Sequence, residues 1–357
     1  MYFDVSPKTK KEDLFGISYL TASLVQYIND YSIRVIIIRG LRRTGKTSLL
    51  NVSLNEIKQK HIKIDVRESP YYDRKEFIAY IIERIKAEIG ETLFQKILKR
   101  VTGVKLSYKD IGTTFYFELE KNFITFFENL NKELKKKNQI IVIAFDEVQL
   151  LNKINFDYII ASIYDNYKNI KLILTGSEIG LIDRFLGKED AKAPLFGRAL
   201  IEIETKRLTG EQISQFLIEG FNQINRKISL NETKEAIESF DGIIGWATHY
   251  GWLRSKNIPH NEAILKVIEE GSELVKRELN NFLVNRKKAT YLKLLKWILL
   301  GYNKWMLLKN QFIKDRKKIS DRQLNLYLKE LIDYSFIEKI NETYLITDPL
   351  LIRALTK

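Results

Sequence analysis

The chain has 357 residues, 45% hydrophobic and 29% charged, with no cysteine and a formal net charge of +14. That length exceeds a single compact core and predicts two or three domains. The absence of cysteine excludes disulfides, thiolate metal sites and cysteine nucleophiles, and no apolar run approaches the ~20 residues of a membrane span. The three scattered histidines (His61, His249, His260) argue against a histidine metal centre. The first residues, MYFDVSPKTKKEDLFG, carry charges and no long apolar stretch, so no secretory signal is expected and the protein is read as cytoplasmic. The excess of positive charge suits polyanion partners, though a lysine-rich solvated surface accounts for it as well.

Five short apolar runs rich in β-branched residues follow in chain order: Val35–Ile38, Ile62–Val66, Ile140–Phe145, Leu172–Leu174 and Leu200–Ile203. Continuous apolar runs predict strands buried on both faces of a parallel sheet. Between them lie helical patterns over Thr47–Gln59, Asp73–Arg100, Tyr116–Lys136 and Phe156–Tyr167. The alternation predicts an α/β, doubly wound, five-stranded parallel sheet over residues 1–205. From Thr209 the pattern turns helical, opening on a cap with Gln212 three residues later. It continues through DGIIGWATHYG to about residue 286, a helical lid subdomain over 206–286. The last part, 287–357, reads as three helices (Tyr291–Leu300, Leu307–Lys314, Asp321–Tyr334) and a hairpin around Asn341–Glu342, the order of a winged helix.

The stretch GLRRTGKTS follows the first strand and opens a helix. Its residues Gly40, Leu41, Arg42, Arg43, Thr44, Gly45, Lys46, Thr47 and Ser48 fit the spacing of a phosphate-binding loop. Glycines let the loop curl so that backbone N–H groups face phosphate oxygens, and the helix start offers its positive end to the same anion. Lys46 should reach the β- and γ-phosphates and Thr47 should ligate Mg²⁺. Arg42 and Arg43 are expected on the outer side of the loop, meeting solvent or a partner.

The run IIVIAFDEVQ ends a buried strand in two acids. Asp146 is assigned to Mg²⁺ and Glu147 to the general base that activates water. In ILTGSE, a hydroxyl at a strand's C-terminal end could meet the γ-phosphate or the attacking water; Ser177 is favoured for this role, over Thr175 and over the alternative that Ser177 only caps the next helix. Arg198, in PLFGR, either stabilises charge on the transferring phosphate or forms a structural ion pair.

These segments, with the C-terminal YLITDPLLIRAL, resemble the archaeal P-loop ATPases of the AAA-like STAND group, over nearly the whole chain. The resemblance implies a core with the catalytic acid beside the Mg²⁺ acid, ATP and ADP as ligands, a helical lid over the adenine and a winged helix behind it. Ile17 stands where the family has arginine after glycine, and Ile244 where the lid has proline. Trp246 and His249 could approach the base, with a core role the simpler reading of Trp246. The function implied is a nucleotide-driven switch: ATP closes the lid and tail against the core, and hydrolysis releases them, with a protein client as partner. The alternative is ATP-regulated binding of double-stranded DNA, similar to origin-recognition relatives. Arg322, Gln323, Asn325 and Lys329 would then face the groove and KDRKKISDR the phosphates.

Overall fold

The computed structural model describes residues 1–68, 74–101, 104–109, 112–117, 120–316 and 319–356, without the side chains of 104–121. The first part of the chain runs α1 (Ser18–Asn29), β1 (Val35–Gly40), α2 (Lys46–Glu56), β2 (Lys60–Asp65), α3 (Arg74–Ile89) and α4 (Glu91–Leu98). It continues through β3 (Val104–Lys109), β4 (Gly112–Phe117), α5 (Glu120–Lys136), β5 (Ile141–Asp146), α6 (Asp157–Asn166), β6 (Ile170–Gly176), α7 (Ile179–Phe185) and β7 (Ile201–Thr205). All five expected strands form one parallel sheet in the order β2-β5-β6-β1-β7. Their continuous apolar sequence has its cause in this arrangement. Every residue of β5 and β6 is buried, because helices cover both faces of the sheet.

Strand β6 is inserted between β1 and β5, with Ile38 opposite Thr175 and Phe145 opposite Leu174. The C-terminal ends of the three central strands therefore open side by side, which is where ligands enter sheets of this kind.

Several local expectations are corrected. The long helix expected to Arg100 breaks at Gly90 into α3 and α4, and its expected start at Asp73 lies outside the described residues. Tyr116 and Phe117 belong to the antiparallel hairpin β3–β4, and the helix begins at Glu120. Helix α1 has no counterpart in the reading above. Its C-terminal carbonyls are capped from the sheet: Lys171 Nζ in β6 donates to the carbonyls of Tyr27, Ile28 and Asp30 at 2.7, 2.6 and 2.7 Å. A lysine inside an otherwise apolar strand is thus satisfied by a helix end.

After Thr205 come α8 (Gly210–Gln223), α9 (Leu230–Phe240), α10 (Ile244–Ser255) and α11 (His260–Leu283). Then follow α12 (Lys288–Leu299), α13 (Trp305–Lys314), α14 (Asp321–Asp333), the hairpin β8 (Ile337–Ile340) and β9 (Thr343–Ile346), and α15 (Pro349–Thr356). The expected cap is present: Thr209 and Gln212 form a capping box, as do Ser229 with Glu232 and Ser320 with Gln323. One apolar cluster runs from α8 to α15 and takes in Phe3 from the N-terminal segment. Phe3 fits because Gly220 and Gly251 lack side chains; a Cβ at either would lie 2.4 or 2.2 Å from its ring. Among the described residues no helix is long and apolar enough to cross a membrane.

Candidate functional site

The turn from β1 into α2 is built on two glycines that no other residue replaces easily. Gly40 has φ 153°, and a Cβ there would lie 2.3 Å from the Thr205 carbonyl oxygen at the end of β7. Gly45 has φ 92° and stands at the N-cap of α2, a conformation glycine adopts without penalty. The loop closes on itself through the Thr44 hydroxyl, which donates to the Leu41 carbonyl at 2.8 Å. Lys46 Nζ donates to the same carbonyl at 2.6 Å. Burial pulls the Lys46 ammonium down to about 8, against the opposing pull of Glu147 and Asp146.

Thr47 and Asp146, seen from sequence as a pair for one cation, are brought together: the Thr47 hydroxyl donates to Asp146 Oδ2 at 3.0 Å. Asp146 is 1% exposed and also accepts from the Thr175 hydroxyl, with Lys63 Nζ 3.7 Å away. Glu147 leaves β5 at φ 62°, in the left-handed region that is unusual for glutamate. That turn takes its carboxylate off the strand line and toward β6. There it accepts from the Ser177 hydroxyl at 2.9 Å and from Gln149 Nε2 at 2.6 Å. Thr175 and Ser177 are therefore both placed at the acids, one on each. The reading of Ser177 as a mere cap fails, since it makes no cap bond and Glu178 occupies the N-cap of α7.

Arg198 is not in this group. It forms a two-pronged pair with Asp165 at 3.0 and 2.6 Å and lies over the Tyr164 ring. Within the chain it takes the structural alternative. Arg42 and Arg43 also depart from expectation, since they face the rest of the molecule rather than solvent. Arg42 pairs with Glu178 at 2.6 Å and Arg43 with Glu278 in α11 at 2.6 Å. Arg43 also stacks on Trp246, 4.4 Å to the ring centre.

A cavity of about 810 Å³ lies between these loops, the N-terminal segment and α10–α11. Its lining includes Gly45, Lys46, Thr47, Glu147 and Ser177 together with Phe15, Ile17, Phe216, Trp252 and His249. Polar donors combined with aromatic and aliphatic surface suit a ligand that has both a charged group and a flat apolar one. Ile17 and Ile244, noted as departures, both line this cavity, as does Trp246. Trp246 is 4% exposed and donates through Nε1 to Asp348 at 3.2 Å.

ATPase domains found predominantly in Archaea match residues 22–245 of the chain. The chain belongs to this family. Among solved structures, the ATPase domain and the segments around it are similar to the Walker-type ATPase Paby2304 of Pyrococcus abyssi. That likeness has 30% identity and a TM-score of 0.80, and covers 100% of both chains. The ORC2 protein of Aeropyrum pernix, solved in ADPNP–ADP complexes, has the same fold at a TM-score of 0.61 and 13% identity, covering 99% of this chain and 96% of that one. No curated protein matches the chain.

Sequence reasoning missed Gln149, Glu178, Glu278 and Asp348. Gln149 carried a faint signal as the polar residue two positions after Glu147. Glu278 and Asp348 carried none, because they reach the loop only through tertiary packing.

Proposed function

We propose that this ATPase domain binds ATP with Mg²⁺ and hydrolyses it, and that the nucleotide switches the arrangement of the parts that follow the sheet. The observation that supports it most is that Lys46, Thr47, Glu147 and Ser177 line one cavity, with Thr47 bonded to Asp146 at 3.0 Å and Glu147 to Ser177 at 2.9 Å. The donor set fits Mg²⁺: a hydroxyl and a carboxylate, both hard oxygens, adjacent and able to take the ion with phosphate oxygens and water. Thr47 and Asp146 would hold the ion, which neutralises charge on the phosphates.

The chain's own groups have distinct tasks in this reading. Lys46 exchanges the Leu41 carbonyl for a phosphate oxygen. The N–H groups of Gly45, Lys46 and Thr47 face the same anion from the start of α2. Glu147 takes a proton from water. Its Oε2 accepts from Gln149 and Ser177 at 2.6 and 2.9 Å, while Oε1 has only the same Ser177 hydroxyl at 3.2 Å and is the freer oxygen for that proton. The aromatic and aliphatic lining of the cavity would hold the base.

We propose residues 206–286 as the lid and 287–357 as a winged helix. A protein client is the favoured partner and the cytoplasm, where ATP is supplied, the location. The net charge of +14 and the winged-helix reading keep duplex DNA as the alternative partner. Against it, two of the four groups expected to face a groove are engaged in the chain. Asn325 accepts from Trp305 Nε1 at 2.7 Å, and Lys329 pairs with Glu189 at 2.6 Å. Of the expected phosphate-facing segment, Lys317 and Lys318 lie outside the described residues. Duplex binding with a steep salt dependence would favour that alternative.

The deciding experiment measures nucleotide binding and phosphate release in Mg²⁺ for Lys46→Ala and Glu147→Gln. Lys46→Ala should lose binding. Glu147→Gln should keep it and lose about 10²-fold or more in turnover. Unchanged turnover in Glu147→Gln would remove Glu147 as the base, and unchanged binding in Lys46→Ala would remove the site.

A further inference from the structure

Arg42 and Arg43 are held by acids from three separate elements. Arg42 pairs with Glu178 at the N-cap of α7 at 2.6 Å, lies 3.8 Å from Glu278 in α11, and donates to the Tyr334 carbonyl at the end of α14 at 3.4 Å. Arg43 pairs with Glu278 at 2.6 Å and with Asp348, just before α15, at 3.5 Å. Its carbonyl accepts from the Gly245 N–H in α10 at 3.0 Å. The side chains of Glu178, Glu278 and Asp348 are only 12, 24 and 13% exposed. Buried carboxylates are tolerated at such exposure because a cation faces each.

Both arginines and Glu278 also line the cavity, as do Lys46 and Thr47. A nucleoside di- or triphosphate bound there brings several negative charges against the same guanidinium groups. Phosphate, like carboxylate, accepts arginine bidentately, and its charge repels acids in a region of low dielectric.

We infer that nucleotide phosphates compete with Glu278, Asp348 and Glu178 for Arg42 and Arg43, so that these acids restrain nucleotide affinity and a filled loop loosens its hold on α10–α11 and the α14–α15 segment. This rests on the reading of the cavity as a nucleotide site and adds how that site is regulated. It reverses the direction expected from sequence, in which nucleotide closes these parts on the core.

The same contacts carry the change onward. Glu178 Oε2 lies 3.5 Å from Gln149 Nε2, the group that holds Glu147. The next residue, Ile179, donates its N–H to the Ser335 hydroxyl at 3.1 Å. Gly180 lies so close that a Cβ would sit 2.5 Å from Asp333 Cα, and Arg184 pairs with the Asp333 carboxylate. The β6–α7 junction thus touches the candidate catalytic acid on one side and the end of α14 on the other.

The test uses the full chain and two conservative variants, Glu278→Gln and Glu278→Gln with Asp348→Asn. Affinity for ADP and for a non-hydrolysable ATP analogue with Mg²⁺ is measured for each. Hydrogen exchange is followed in α10 and across residues 331–351. Both variants should bind nucleotide more tightly, by roughly fivefold or more. In the wild type, nucleotide should speed exchange in those segments. Equal or weaker binding by Glu278→Gln, or slower exchange on nucleotide addition, would overturn the inference. Should the double variant fail to fold, the single variant decides. No nucleotide binding by the wild type would sink the nucleotide reading itself, and this inference with it.

Discussion

Gly245→Ala tests whether α10 is pressed against the loop between β1 and α2. Gly245 is the second residue of α10, and a Cβ there would lie 2.7 Å from Arg43 Cβ and 3.1 Å from the Arg43 carbonyl oxygen. Neither atom is the free end of a flexible side chain, so the helix must move off the loop or the loop must distort. Such overpacking costs about 1–3 kcal/mol, and loss of the Gly245–Arg43 backbone hydrogen bond about 1 more. Alanine returns up to about 1 kcal/mol through its better helix propensity. The net expectation is a loss of about 1–3 kcal/mol. Gly210→Ala at the start of α8 is the control, since its Cβ would meet only Ile237 Cγ2 at an ordinary 3.4 Å. It should leave stability unchanged or raise it slightly. All four tryptophans (Trp246, Trp252, Trp297, Trp305) lie in α10, α12 and α13. Urea unfolding followed by their fluorescence therefore reports on this region. If Gly245→Ala is as stable as Gly210→Ala and binds nucleotide as the wild type does, the close approach of α10 to the loop has no energetic weight and the reasoning fails.

Lys46 gives a prediction in pH. Burial lowers it from 10.5 to about 8, so its desolvation cost is present in full below pH 8 and is relieved as pH rises toward 10.5. A bound phosphate favours the ammonium, so nucleotide binding near pH 8 should take up protons and binding near pH 6 should not. Calorimetry in buffers of different ionisation enthalpy reads this directly; equal enthalpies at pH 8 would contradict it. Lys171→Met should cost about 1.5–3 kcal/mol by leaving the α1 carbonyls without their buried donor, seen as a lower midpoint of thermal unfolding. Arg198→Ala should leave ATP turnover by isolated chains unchanged and cost at most about 1 kcal/mol, because its Asp165 partner is half-exposed. A large fall in turnover would show that it reaches the phosphates. Ser320→Ala should remove the cap of α14 and cost about 1 kcal/mol, measured by the same fluorescence-detected unfolding.

The strands and the glycine turn from β1 into α2 were legible because their determinants are local. A strand buried on both faces must be apolar throughout, so Val35–Ile38 and Ile140–Phe145 announce themselves. A loop that wraps phosphate needs glycine where φ is positive and a lysine and hydroxyl at the helix start, which fixes Gly40, Gly45, Lys46 and Thr47 relative to one another. The acids Asp146 and Glu147 follow from their place at a strand end. Helix α1 was within reach of the same reasoning, since Thr21, Leu24 and Ile28 repeat at helical spacing on its buried side.

Other features belong to the tertiary structure alone. Arg42 and Arg43 look like solvated charge in the sequence, and only folding brings Glu278 and Asp348, more than two hundred residues away, to them. Lys171 looks like an interruption in a strand until the end of α1 is laid beside it. Arg198 sits in a suggestive motif, yet its guanidinium goes to Asp165. The physical reason is common to all three. Backbone conformation is decided within a few residues by sterics and periodicity. The partner of a charge is decided by which surfaces the buried apolar cores bring together.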